Sequence, residues 1–320
     1  MPLFLREEDV AQLLTMDDAL TVVEEALRLH GLGQADNRPR QRPRLKRSIL
    51  QVMPAAVPGM GLGLKAYTVG TKGVRFIVLL WNEVTGDLEA AIEANRLGQI
   101  RTGAASGVAT KYLARTDATT VGMFGCGGQA GTQLEAVCSV RPIEHAWVYS
   151  RTPAHRERFA AESSELLGIT VEAVAEPRDV VAEADIVITI TNAAEPLFDG
   201  EWLQPGAHIN AAGSNRANAR EIDTRTVQRA DLVAIDYWEQ GQVEAGDLIT
   251  PIEEGVITWD AVIELGQVVA GQAAGRPDND AITLFESLGI AIEDVAVARH
   301  VYNKALEVGA GQPLPDTILG

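Results

Sequence analysis

The chain has 320 residues, 46% of them hydrophobic and 22% charged, a composition that excludes global disorder and a length that buries enough surface to need no disulfide or metal staple. Lys and Arg number 27 against 44 Asp and Glu, for a net charge of −17, which excludes nucleic acid and anionic membrane as partners unless a local basic patch recruits them. No apolar run is long enough to span a bilayer, and the opening MPLFLREEDV is acidic where a signal peptide is basic, so a cytoplasmic protein with no membrane partner is expected. The two cysteines, Cys126 and Cys138, form no CxxC pair, and the five histidines (30, 145, 155, 208 and 300) lack ligand spacing, so neither a disulfide scaffold nor a metal site is expected.

In chain order, residues 15–33 read as a helix. Thr15 and Asp18 have capping-box spacing, an apolar stripe runs from Ala19 to Leu27, and Gly31 and Gly33 end it, with His30 near the last carbonyls. RPRQRPRLKR, residues 38–47, follows, with six cations in ten residues. Arg38, Arg40, Arg42, Arg44 and Lys46 all stand at even positions, so an extended segment would project them from one face. Two readings stay open: a solvated edge strand guarded by charge, or a strand whose arginines hold an anionic ligand group. SILQVMPAAV, LGLKAYTVG and FIVLLWNEVTGDLEAAIEA are strand-like, the last folding into a hairpin at Thr85-Gly86-Asp87. Lys65, inside the apolar run 61–67, is either a snorkelling edge residue or a buried, tuned amine. Residues 97–114 read as a helix of small residues with Arg101 and Thr102 near its start.

From residue 119 strands alternate with helices, the pattern of a parallel sheet covered on both faces. The tail, 279–309, reads as a helical region broken at Ser287-Leu288-Gly289, with Glu293 and Asp294 opening a helix that runs to Glu307.

The informative motif is VGMFGCGGQA. Gly125, Gly127 and Ala130 make GxGxxA after a strand and at the opening of a helix. The first glycine permits the turn, the second lets a pyrophosphate approach the backbone, and the small third residue lets helix and strand pack closely. Gly128 and Gln129 lie between, where free helix N–H groups face phosphate. The next strand ends in Tyr149-Ser150-Arg151-Thr152, with Arg156 one turn on. A ribose 2′-hydroxyl is usually met there by Asp or Glu. Cations and hydroxyls suit a 2′-phosphate instead, so NADP (NADPH) is favoured and NAD stays possible. Thr191, Asn192, Gly213, Ser287 and Gly289 are the further candidate cofactor contacts. No GxSxG elbow is present.

Several stretches together resemble the ornithine cyclodeaminase/mu-crystallin family: MPA (53–55), GLKAYT (63–68), GQIRTGAASGVATKYLA (98–114), PGAHINAAGSN (205–215) and LFESLGIAIEDVAVA (284–298). The resemblance implies an α/β protein in which a Rossmann dinucleotide-binding domain (119–304) is inserted in an α+β dimerisation and substrate domain (1–118, completed by 305–320). It also implies a homodimer. It places the active-site lysine at Lys65 and the substrate-carboxylate arginine, near Met53, at Arg40, with a shift to Arg44 possible. The second arginine falls on Arg101, and Thr102 then lies against the cofactor phosphates. Where cyclodeaminase members carry an aspartate this chain has Asn215, which can orient a proton but not take one. The expected function is NAD(P)H-dependent reduction of a small imino acid, or oxidation of the amino acid. A cyclodeaminase-type lyase and a low-turnover cofactor-binding protein are the alternatives.

Overall fold

The computed structural model describes residues 1–71 and 73–315; the expected role of 316–320 in the first domain lies outside them. The chain opens with β1 (Leu3–Leu5), α1 (Glu7–Leu13), α2 (Met16–Gly31), β2 (Asp36–Asn37), β3 (Arg44–Leu45), β4 (Ser48–Val57), β5 (Gly61–Gly70), β6 (Gly73–Trp81), β7 (Leu88–Glu93) and α3 (Asn95–Leu113). An alternating region follows: β8 (Thr120–Phe124), α4 (Ala130–Val140), β9 (His145–Tyr149), α5 (Pro153–Leu167), β10 (Thr170–Ala173), α6 (Pro177–Val181), β11 (Ile186–Thr189), β12 (His208–Ala211), α7 (Thr224–Arg229), β13 (Leu232–Ile235), α8 (Trp238–Glu244), α9 (Gly246–Glu253), β14 (Val262–Glu264), α10 (Leu265–Val269) and β15 (Thr283–Glu286). The chain then runs through α11 (Ala291–Val308) and β16 (Gln312–Pro313).

Two units result, one of residues 1–101 and 290–320, the other of 102–289. The boundaries differ from the 118 and 304 that the resemblance implies. The first falls inside α3, whose later turns belong to the second unit. There Ala104, Ala105, Val108 and Ala109 are buried, and the Arg141 guanidinium donates to the carbonyls of Thr110 (2.9 Å), Lys111 (2.9 Å) and Ala114 (3.0 Å) at the end of the helix. The second boundary places all of α11 with the first unit.

In the first unit the described strands form one sheet, ordered β16-β1-β7-β6-β5-β4-β2, with β3 also on β4. Strands β4 to β7 are antiparallel neighbours, and the expected hairpin is the β6–β7 connection. Buried side chains alternate along β5, α11 packs on that face, and α2 packs against α11. Gly63 makes the approach possible, since a Cβ there would stand 2.8 Å from Val295 Cγ2 and 3.0 Å from the Leu79 carbonyl. The basic segment is not one strand. Only Arg44–Leu45 pairs as a strand, with Gln41 bridging to Val52, because Pro39 and Pro43 interrupt the ladder. The arginines share a face only in part: Arg40 (buried) and Arg42 (half-buried) reach Met53 and Gln51 on one face of β4, Arg38 lines the groove with Leu62 and Leu64 on the other, and Arg44 and Lys46 are exposed.

In the second unit the described strands form a wholly parallel sheet, ordered β10-β9-β8-β11-β12-β15-β13-β14. Apolar clusters lie on its faces, one built on Val121, Met123, Leu134 and Val148, the other on Phe124, Val187, Ile209 and Leu284. The order reverses between β8 and β11, the switch point of a doubly wound nucleotide-binding fold. Residues 283–286, expected in a helical region, are instead β15, inserted between β12 and β13. Four fully buried residues suit a central strand better than an amphipathic helix.

Asn37 joins the two ends of the first unit. Its Oδ1 accepts from the backbone N–H groups of Ala291 (2.9 Å) and Ile292 (3.2 Å), in the first turn of a helix that its own N-cap side chain leaves uncapped. Asn37→Ala leaves two buried donors unmet. It should lower the unfolding free energy by about 2 kcal/mol, measured by urea denaturation; an unchanged midpoint would refute this capping role.

Candidate active site

The first unit buries a compact set of charges. Lys65 lies mid-strand on β5, its side chain 2% exposed, directly opposite the fully buried Met53 of β4. Its amine bonds Asp294, 2.9 Å from Oδ1 and 2.7 Å from Oδ2. Arg101 stands beside it, Nη1 2.6 Å from Glu293 Oε2 and Nε 3.0 Å from Asp294 Oδ1. Arg40 is also buried, with Nε 3.2 Å from Met53 Sδ. Tyr67, two residues along β5, donates to Gln51 at 2.7 Å, and its ring centroid lies 5.9 Å from Lys65 Nζ. The structure thus brings together Arg40, Met53, Lys65 and Arg101, while Arg44 is exposed on β3.

Burial comes first among the forces on Lys65. With the charge of Arg101, and against the pull of Asp294, it brings the amine down to about 7. Burial also works against Arg101, but Asp294 and Glu293 outweigh it and hold the guanidinium charged. Glu293 is raised by its own burial, Arg101 opposing and Asp294 reinforcing the shift. Three cations, Arg40, Lys65 and Arg101, face two carboxylates.

In the second unit the candidate residues follow one row of the sheet. Tyr149, Phe124, Thr189, Ala211 and Glu286 are register neighbours across β9, β8, β11, β12 and β15. The loops beyond that row, at the carboxyl edge where such sheets bind ligands, carry Ser150, Gly125, Thr191, Gly213 and Ser287. Gly125 holds φ +107°, and a Cβ on it would strike the Ile190 carbonyl, so only glycine makes this turn. Gly127, Gly128 and Gln129 are exposed, a Cβ on Gly127 would meet nothing within 4 Å, and no side chain caps α4. That open cradle at a helix N-terminus fits a pyrophosphate. Ala130 is fully buried, and Gln133 of the same helix donates to the Thr102 carbonyl at 3.1 Å. Arg151 and Thr152 are exposed, whereas Arg156 donates to the Ser150 carbonyl at 3.0 Å and lies 5.6 Å from the Tyr149 ring centroid. Asn192 is exposed, and Asn215 is half-buried two residues past Gly213.

Three buried carboxylates tie these loops together. Glu221 accepts from Thr189 Oγ1 (2.8 Å) and from the backbone N–H groups of Thr191 (2.6 Å) and Gly213 (2.7 Å). Asp247 accepts from Glu221 N (2.7 Å) and Ile222 N (2.8 Å). Asp236 accepts from Leu288 N (2.7 Å) and Gly289 N (2.6 Å). Burial pushes Glu221 up to about 7 and Asp247 up to about 6, against the bonds each accepts.

Sequence reasoning missed these three acids, and it took Glu293 and Asp294 only for helix-opening residues. A signal was present for the latter pair: they are the sole polar residues in GIAIEDVAVA, a stretch with no solvated face for them to occupy. No comparable signal marks Glu221, which sits among other polar residues in NRANAREID.

A parallel nucleotide-binding sheet, together with a buried amine held among arginines and acids, defines a dinucleotide-dependent oxidoreductase. The chain belongs to the ornithine cyclodeaminase/mu-crystallin family, whose model matches residues 1–309. It is 41% identical over 270 residues to a Δ1-pyrroline-2-carboxylate reductase of Bacillus cereus, covering 82% of this chain and 83% of that one. The structure of Thermococcus litoralis Δ1-pyrroline-2-carboxylate reductase in complex with NADH and L-proline matches with a TM-score of 0.93 at 38% identity, over 98% of this chain and 100% of that one. An archaeal alanine dehydrogenase dimer with bound NAD matches with a TM-score of 0.93 at 33% identity, over 98% of this chain and 99% of the other.

Proposed function

We propose that this chain reduces a small cyclic imino acid of the Δ1-pyrroline-2-carboxylate type, or runs the reverse oxidation, with exchange of hydride with a free nicotinamide cofactor. The observation that carries the reading is the buried lysine flanked by two buried arginines and held by Asp294. Arg40 and Arg101 take the substrate carboxylate and fix its orientation. Lys65, poised at about 7, donates the proton that the imine nitrogen gains on reduction and recovers it in the reverse direction. Asn215 orients the nitrogen or a water by hydrogen bonding. The bound nicotinamide supplies the hydride to the imine carbon. The nucleotide is held by Gly125, Gly127, Gly128, Gln129 and Ala130 at the turn, by Thr102, and by the loops carrying Thr191, Asn192, Gly213, Ser287 and Gly289. The relatives that bind NADH, L-proline and NAD support this reading, and asparagine at 215 argues against cyclodeamination.

Lys65→Met retains much of the stem volume and removes the charge. Its turnover with Δ1-pyrroline-2-carboxylate should fall by about two orders of magnitude or more, while titration of intrinsic fluorescence shows the cofactor still bound. Turnover within a few-fold of wild type would remove Lys65 from the chemistry. Proline and ammonia formed from ornithine without net cofactor consumption would establish the lyase instead.

We further propose NADPH as the preferred cofactor, with Arg151 and Ser150 at the 2′-phosphate and Thr152 beside them. Arg156, already folded against Tyr149, contributes to the adenine side. Arg151→Ala should weaken NADPH by about tenfold or more and NADH far less. Wild-type preference for NADH, or equal losses for both cofactors, would refute the assignment.

The protein acts as a homodimer in this reading. On the sheet face turned away from Lys65, Pro54, Ala56, Leu62, Leu64 and Trp81 line an open apolar groove, with Leu62 43% exposed. A second copy would cover it. Leu64→Glu should then shift the sedimentation coefficient from dimer to monomer; a wild-type protein that sediments as a monomer would exclude the dimer.

A further inference from the structure

We propose that Asp294 is the positioning residue of the active site: one carboxylate that fixes where both the Lys65 amine and the Arg101 guanidinium stand and in which protonation state the amine meets the substrate. The inference rests on the reading of Lys65 as proton donor and goes beyond it. Asp294 contacts both cations, with Oδ1 2.9 Å from Lys65 Nζ and 3.0 Å from Arg101 Nε. It is fully buried in the first turn of α11, on a backbone already fixed by Asn37. Glu293 braces the same guanidinium at Nη1, so Arg101 cannot swing away from Asp294 without losing a second buried bond.

The charges around Lys65 show why the protonation state turns on this residue. Tyr67 stands on its own strand, Arg40 on the segment before β3, Arg101 on α3, and Glu293 and Asp294 on α11. Arg101 and Arg40 both disfavour an ammonium at that point, as does burial, and Asp294 is the group that favours it by charge and by hydrogen bond together. Asparagine at 294 keeps the shape and an acceptor oxygen but removes the charge. An opposite charge at this distance shifts a titration by about one to three units. Without it the amine loses its proton at lower pH, and the donor form is depleted where the enzyme works.

The test uses the full chain with lysine labelled at its ε carbon. Five lysines are present, and the Lys65→Met spectrum assigns the Lys65 signal. In Asp294→Asn the Lys65 titration should move down by about one unit or more, and the basic limb of kcat for imine reduction should move down with it. Turnover at pH 8 should fall about tenfold or more, since each unit is a factor of ten in protonated amine, and recover to within a few-fold on lowering the pH to 6. Asp294→Glu, which restores the charge, should leave the limb near its wild-type position even where kcat is reduced. It also serves as the test if Asp294→Asn does not fold: a limb displaced as far as a deprotonated donor predicts would overturn the proposal. A residue that only supports the fold would lower the melting temperature and leave both titrations in place, and that result would overturn the assignment of Asp294. A wild-type Lys65 titrating near its ordinary 10.5 would instead overturn the reading of Lys65 as a donor poised near neutrality, whatever Asp294→Asn does.

Discussion

An ammonium and a guanidinium buried side by side must be met by carboxylates, because a desolvated, unpaired charge is far more costly than a satisfied one. That requirement organises the first unit. Lys65 and Arg101 come from its leading part, and the acids that meet them stand at 293 and 294, at the start of the returning helix. Everything about that helix serves the encounter. Gly63 lets it lie close to the sheet, Asn37 caps its first turn, and its apolar length seals one face of β4, β5 and β6.

The second unit meets the opposite problem. Its carboxyl edge gathers backbone N–H groups and loop ends, and buried acids hold them in place. Glu221 spans the loops after β11 and β12, and Asp236 holds the turn after β15. Burial raises Glu221 and Asp247 toward neutrality, and burial, with crowding by Asp247, Asp236 and Glu221, holds Glu286 well above the usual carboxylate range. The cluster therefore need not carry its full formal charge.

Local signals were legible in proportion to how far they act along the chain. The strand–turn–helix around Gly125, the capping box at Thr15 and Asp18, and the hairpin at Thr85-Gly86-Asp87 are set by neighbouring residues, and each is visible in the sequence. The buried amine was legible as one of two alternatives, since apolar neighbours surround Lys65 in β5 whether it is a snorkeller or a core residue. Its partners were not legible, because Lys65 and Asp294 are 229 residues apart and no local pattern encodes the pairing. The even spacing of Arg38 to Lys46 held only in part, because periodicity assumes an unbroken register: Arg40 and Arg42 reach one face of β4, but the pairing shifts by one residue between Asn37 and Gln41 and leaves Arg38 on the other. Residues 283–286 read as helical because a short apolar run has no period of its own; their neighbours β12 and β13, remote in sequence, make them a strand.

The division of the first unit between residues 1–101 and 290–320 bears on how the protein is made. A ribosome releases the chain from its N-terminus, so the opening sheet emerges with its apolar face and the Lys65 amine uncovered. The helix that covers them is synthesised only after residue 289. The parallel domain, contiguous from 102 to 289, emerges in between and can fold as soon as its own strands are out. Until α11 arrives, the early sheet has no acid to neutralise Lys65 and Arg101 and no helix to shield it. During translation the cluster of Lys65, Arg101, Glu293 and Asp294 is thus completed only after the contiguous unit has emerged.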